Sequence, residues 1–140
     1  MLNVLLYLWQ LPQNLLGLIL RIFYKTDSKL KYKDKTIRVC GLFPGGISLG
    51  NTIFVKRYPF DKYYWNSVKH EYGHSVQSKY LGWFYLIIIG LPSALGALWD
   101  TVFHTEKSGW TVIKSYIWYF NLPWEKWADK LGGVERDLQK

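Results

Sequence analysis

The chain has 140 residues, with 18 Lys and Arg against 10 Asp and Glu and a formal charge of +8, which is the length of one domain. A hydrophobic content of 49%, a charged content of 20% and a mean hydropathy of −0.07 exclude both disorder and a chain made mainly of membrane spans. The positive charge leaves three classes of partner: nucleic acid, an anionic membrane surface or an acidic substrate. Zinc-finger spacing, an RNP aromatic signature and a base-reading basic helix are all missing from the sequence, so nucleic acid is set aside.

Residues 1–23 form an apolar N-terminal segment, interrupted by Gln10, Leu11, Pro12, Gln13 and Asn14. Each apolar piece is too short to span a bilayer, which takes about 20 residues. The segment has neither a basic leader nor a small-residue cleavage site, so a helix broken near Pro12 and lying in an interface or docked on the domain is expected. From Arg21 to Arg38 seven basic residues (Arg21, Lys25, Lys29, Lys31, Lys33, Lys35, Arg38) face two acids, Asp27 and Asp34. Directly after an apolar segment this is a juxtamembrane pattern; a solvated turn is the plainer alternative. Cys40 is the only cysteine, so no internal disulfide forms and a reducing compartment is acceptable.

Residues 36–58 change period. Thr36 to Val39, a Gly45-Gly46 turn and the alternating, β-branched run from Ile47 to Val55 predict a hairpin or short meander. After Pro59, Asp61 is placed to cap a helix over residues 62–80. Residues 81–99 carry no charge and on count alone are long enough to span a bilayer, but Gly90, Pro92, Ser93 and Gly96 divide them, so a buried or re-entrant helical pair competes with a simple crossing. A further helical region runs from about Trp110 to Asp137, with Pro123 opening a new helix over 123–137.

The chemistry is concentrated in His70-Glu71-Tyr72-Gly73-His74. Residues i and i+4 share a helical face, so both imidazoles can meet one ion while Glu71 projects beside them. Zinc there would acidify a water molecule, and a neighbouring carboxylate would take its proton as the water attacks a carbonyl. A third ligand is required from Asp100, His104, Glu106, Glu125 or Asp129. Glu125-Lys126-Trp127-Ala128-Asp129 has the most useful spacing, because Glu125 can ligate while Asp129, on the same face, receives the second N–H of a ligating histidine. His104 and Glu106 are the runners-up.

This pair of motifs resembles the gluzincin metallopeptidases. With Gly before the second His and Ala before the Asp, it is most similar to the gluzincins related to CAAX prenyl proteases and to the minigluzincins. The resemblance implies Zn²⁺ as cofactor, with His70, His74 and Glu125 as ligands, Glu71 as general base and Asp129 supporting a histidine. It also implies a peptide or protein substrate laid along an edge strand upstream of the motif helix, at Ile47, Leu49 and Asn51. The second reading of that strand is that it completes the domain's own sheet. His104, Tyr116 and Tyr119 are the available donors for an oxyanion. The expected fold is α+β and zincin-like. It has a motif helix, a C-terminal glutamate helix, a small β-hairpin or meander, and apolar helices at the N-terminus and centre.

One metal site requires His70 and Glu125 on the same side of any membrane, so residues 81–99 should return to the side they leave. With the aromatic content of 19% and the basic stretch, this favours a monotopic enzyme whose catalytic face is cytoplasmic. A soluble enzyme with both apolar segments in its core is the alternative. A catalytically silent, zinc-binding scaffold is the alternative from another functional class.

Overall fold

The computed structural model describes residues 2–59 and 61–136. Two helices, α1 (Leu2–Trp9) and α2 (Leu11–Phe23), precede four strands, β1 (Ser28–Tyr32), β2 (Lys35–Cys40), β3 (Gly46–Leu49) and β4 (Thr52–Lys56). The long helix α3 (Asp61–Leu81) follows, then α4 (Leu91–Phe103), α5 (Val112–Phe120) and α6 (Pro123–Gly132). The fold is mixed α+β, with α3 packed on α6 and beside a small mixed sheet.

The sheet order is β1-β2-β4-β3, antiparallel except for the parallel β2/β4 pair. The strands alternate as period-2 sequences must. Ile37, Val39, Ile53 and Val55 turn one face to Val68 of α3, while Cys40 and Phe54 turn the other to Phe43, Tyr24 and Leu20 of α2. Cys40 is a buried free thiol.

Two expectations about the strands are corrected. The basic stretch is not a solvated turn but mostly strand, because Lys29 and Lys31 of β1 point to solvent while Leu30 and Tyr32 pack on the core. Lys35 and Arg38 of β2 are themselves buried, with the Lys35 ammonium donating to the Gly50 carbonyl at 3.0 Å. Burial outweighs the nearby Asp34 charge and lowers the Lys35 pKa to about 8. The run from Ile47 to Val55 is not one strand either. Gly50, at φ +60°, turns the chain back, so β3 and β4 form the hairpin and Gly46 begins a strand. Asn51 therefore lies in the turn, where its backbone N–H donates to Asn14 Oδ1 at 2.9 Å.

The helices match the expected positions with local differences. Asp61 stands in the first turn of α3 instead of capping it, still favourably placed for the helix dipole. The break in the N-terminal segment falls at Gln10, with Pro12 in the first turn of α2. The expected pair over 81–99 is instead a 3₁₀ turn (Gly82–Phe84) and a π-helical turn (Leu86–Gly90) running into α4. The π-turn takes in Gly90, and Pro92 falls in the first turn of α4, where its missing N–H costs no bond, so the chain passes both without a reversal. The return is made by α5, which packs against α4 and delivers α6. Helix α6 closes at Gly133, in the left-handed conformation at φ +71°. Asp137 lies outside the described residues.

Candidate active site

Helix α3 buries a polar face. His70, Glu71, His74, Ser75, Gln77 and Ser78 are all at most 6% exposed. What packs on it is α6, at unusually close range. A Cβ on Gly73 would collide with the Ala128 carbonyl, and one on Gly132 with the Lys69 carbonyl. Small residues at these crossings bring Glu125 up to the two histidines.

Glu125 Oε2 lies 3.0 Å from His70 Nε2 and 3.1 Å from His74 Nε2, and the two Nε2 atoms are 3.1 Å apart. The second nitrogen of each ring is already engaged. His70 Nδ1 donates to Asp129 Oδ1 at 2.6 Å, and His74 Nδ1 donates to Gln77 Oε1 at 2.7 Å. Each ring therefore has only Nε2 left for Glu125: while it keeps its proton it donates to Oε2, and once deprotonated its lone pair joins the carboxylate oxygen, so that three acceptors converge on a point suited to a cation. The near-equilateral triangle is close to the edge of about 3.3 Å that tetrahedral zinc with ligands near 2.0 Å requires. A hard, buried carboxylate with two imidazoles is also the donor chemistry of catalytic zinc. The three donors match a gluzincin-type zinc site.

Electrostatics agree with this reading. Burial alone would lower the His70 pKa, but the Asp129 and Glu125 hydrogen bonds and the nearby carboxylate charges outweigh it and hold the ring at about 9. Burial likewise opposes ionisation of Glu125, and the hydrogen bonds from His70 and His74 overcome it, holding this carboxyl well below the usual range. Glu71 is shifted the other way, upward, because burial outweighs the neighbouring histidines. Its Oε1 packs against Gly46 of β3, where no Cβ would fit, and its Oε2 is buried without a hydrogen-bond partner among the described residues.

The remaining residues singled out in the sequence separate. Asp129 accepts from His70 and from Arg136, whose Nε and Nη2 lie 2.5 and 2.9 Å from its two oxygens. Tyr119 is joined to the site through Ser93, 3.0 Å from its hydroxyl. Tyr116 accepts from Arg136. His104 is engaged elsewhere, with Nδ1 2.7 Å from Asp100 Oδ1 and its ring stacked on Trp110.

Four site residues had not been singled out as functional. Gln77 orients His74 and donates to the Trp124 carbonyl at 2.9 Å; its position three residues after His74, on the same helical face, was the available signal. Ser93 donates to Glu125 Oε1 at 2.5 Å. Arg136 was hidden by its distance along the chain. Tyr85 is 4% exposed, feels the charges of Glu71 and Glu125, and reaches the Ser48 carbonyl at 3.5 Å.

Comparison with models of protein families, with curated proteins and with solved structures finds no match.

Proposed function

We propose that this protein is a zinc-dependent endopeptidase that works at a membrane surface. The observation that carries the enzymatic half is the convergence of His70, His74 and Glu125 beside a buried carboxylate, Glu71, that is not one of the three donors. Zinc held by those three residues supplies a Lewis acid that acidifies water and polarises a carbonyl. Glu71 takes the proton of the attacking water and passes it to the departing amine. Its pKa, raised by burial, suits a group that must first accept and then release a proton. Asp129 and Gln77 keep both imidazoles in the tautomer that presents Nε2.

Strand β3 supports a peptide substrate. It is the outer strand of the sheet, and its first residue touches Glu71. The Lys56 N–H donates to the Gly45 carbonyl at 2.7 Å. Antiparallel alternation then points the backbone groups of Gly46 and Ser48 away from β4. A substrate strand would pair at the exposed Gly46, whereas Ser48 is 1% exposed and its carbonyl meets the Tyr85 hydroxyl at 3.5 Å, and Ile47 and Leu49 hold β3 to the sheet.

The membrane half rests on inverted polarity. In α2, Gln13, Asn14 and Gly17 face the protein, whereas Leu15, Leu16, Leu18, Ile19 and Ile22 are exposed. The helical stretch Leu86–Phe103 is long and apolar enough to cross a membrane, and most of it faces outward. A helix in water turns its polar side out, so both helices carry the polarity of a lipid-facing surface. With exposed Arg21 in the last turn of α2 and Lys25, Lys29, Lys31 and Lys33 following it, the reading is monotopic attachment to an anionic, cytoplasmic leaflet.

Cleavage of a diverse peptide library by zinc-loaded protein tests the enzymatic half. Glu71→Gln should keep one zinc per chain and lose about 10²–10⁴-fold in rate. Equal, negligible cleavage by both proteins would leave a zinc-binding scaffold in place of an enzyme.

A further inference from the structure

The two histidines are supported by Asp129 and Gln77, one on each of the helices that carry the ligands. Glu125 is supported differently. Its second oxygen, Oε1, accepts from the hydroxyl of Ser93 at 2.5 Å, and Ser93 stands in the first turn of α4, the exposed apolar helix. Ser93 is the only serine or threonine in the charge-free segment 81–99. Its hydroxyl lies a further 3.0 Å from that of Tyr119, on α5.

Proton arithmetic orders this chain. A serine hydroxyl has one proton, and the ionised Glu125 can only accept, so Ser93 gives its proton to Oε1 and must itself accept from Tyr119. The direction is Tyr119 to Ser93 to Glu125. Glu125 is fully buried, so water does not replace this donor. With Oε1 occupied, the carboxylate is prevented from rotating about its last torsion and offers Oε2 alone to the point where the histidines converge.

We propose that Ser93, backed by Tyr119, is a positioning residue that holds Glu125 to one-oxygen ligation. The proposal rests on reading the site as a zinc centre. It also assigns Tyr119 to the support of a ligand instead of to the substrate. Removing the hydroxyl would take away the donor 2.5 Å from this buried oxygen, leave only the Tyr119 hydroxyl near Glu125, and free the carboxylate to turn toward the metal.

The test uses the full-length chain and cobalt as a spectroscopic probe, with zinc affinity measured by chelator competition. Wild type should bind one cobalt with the intense visible bands of a low-coordinate site; a wild type that binds no metal would remove the zinc reading itself. Given wild-type binding, Ser93→Ala should weaken zinc affinity by about 10–100-fold and shift the cobalt bands, while Ser93→Thr restores both. Circular dichroism and thermal unfolding of the metal-free chains show whether each variant folds, a property that a loose ligand alone would not change. Wild-type affinity and unchanged bands in a folded Ser93→Ala overturn the proposal. Should Ser93→Ala fail to fold, Tyr119→Phe carries the test. A several-fold loss of zinc affinity there supports the relay, and wild-type affinity overturns it.

Discussion

A buried carboxylate oxygen 3.0 and 3.1 Å from two imidazole nitrogens, each ring held through its other nitrogen, leaves little choice of ligand set. Glu125→Ala should therefore abolish stoichiometric zinc binding. His104→Ala should leave it intact because His104 is bonded to Asp100 and stacked on Trp110, and so should Glu106→Ala, whose side chain is exposed. Metal analysis of the purified variants checks this, and the opposite pattern would move the third ligand. At this scale the spacing within His70-Glu71-Tyr72-Gly73-His74 and Glu125-Lys126-Trp127-Ala128-Asp129 was informative because helical geometry converts i and i+4 into a shared face. Ser93 and Arg136 were not legible, since each meets its partner through tertiary packing that no local period encodes. Gln77 was legible in principle, as it follows His74 on the same face.

At the scale of the element, the site depends on how closely α3 and α6 approach. Gly73 and Ala128 meet where a single added methyl would strike backbone, and backbone cannot move aside as a side chain can. Gly73→Ala should cost about 1–3 kcal/mol in urea unfolding and also weaken zinc binding, because Glu125 rides on the displaced helix. Loss of stability with unchanged zinc affinity would show that the crossing does not set the ligand distance. The small residues beside the second His and before the Asp, first noted as a mark of resemblance, thus have a packing reason. Strand β1 escaped the sequence reading because its Lys-Leu-Lys-Tyr alternation looked like a run of charge. The lysines are its solvent face, and Leu30 and Tyr32 its core face. Gly90 and Pro92 look like breakers in the segment before α4, but a π-turn takes in Gly90 and the first turn of α4 accommodates Pro92.

For the whole molecule, the apolar segments and the metal site are one construction. The polar residues that interrupt the N-terminal segment are the ones that dock it: the Ser78 hydroxyl donates to Gln10 Oε1 at 2.8 Å, and Gln13 lies 3.3 Å from the same hydroxyl. Leu5, Leu8, Leu15, Leu16 and Leu18 are left outside. Flotation with liposomes containing anionic lipid should carry the protein upward, with partial release at high salt as screening removes the basic contribution and leaves the apolar one. Protein that stays in the soluble fraction at low salt would remove the membrane half of the reading and leave the zinc site untouched. The zinc site is the central claim, and X-ray absorption at the zinc edge of the wild-type protein tests it most directly. The account predicts one zinc per chain in a shell of about four nitrogen and oxygen neighbours near 2.0–2.1 Å, with two imidazoles among them. A chain that takes up no zinc, or a shell containing sulfur or lacking imidazole, would contradict it.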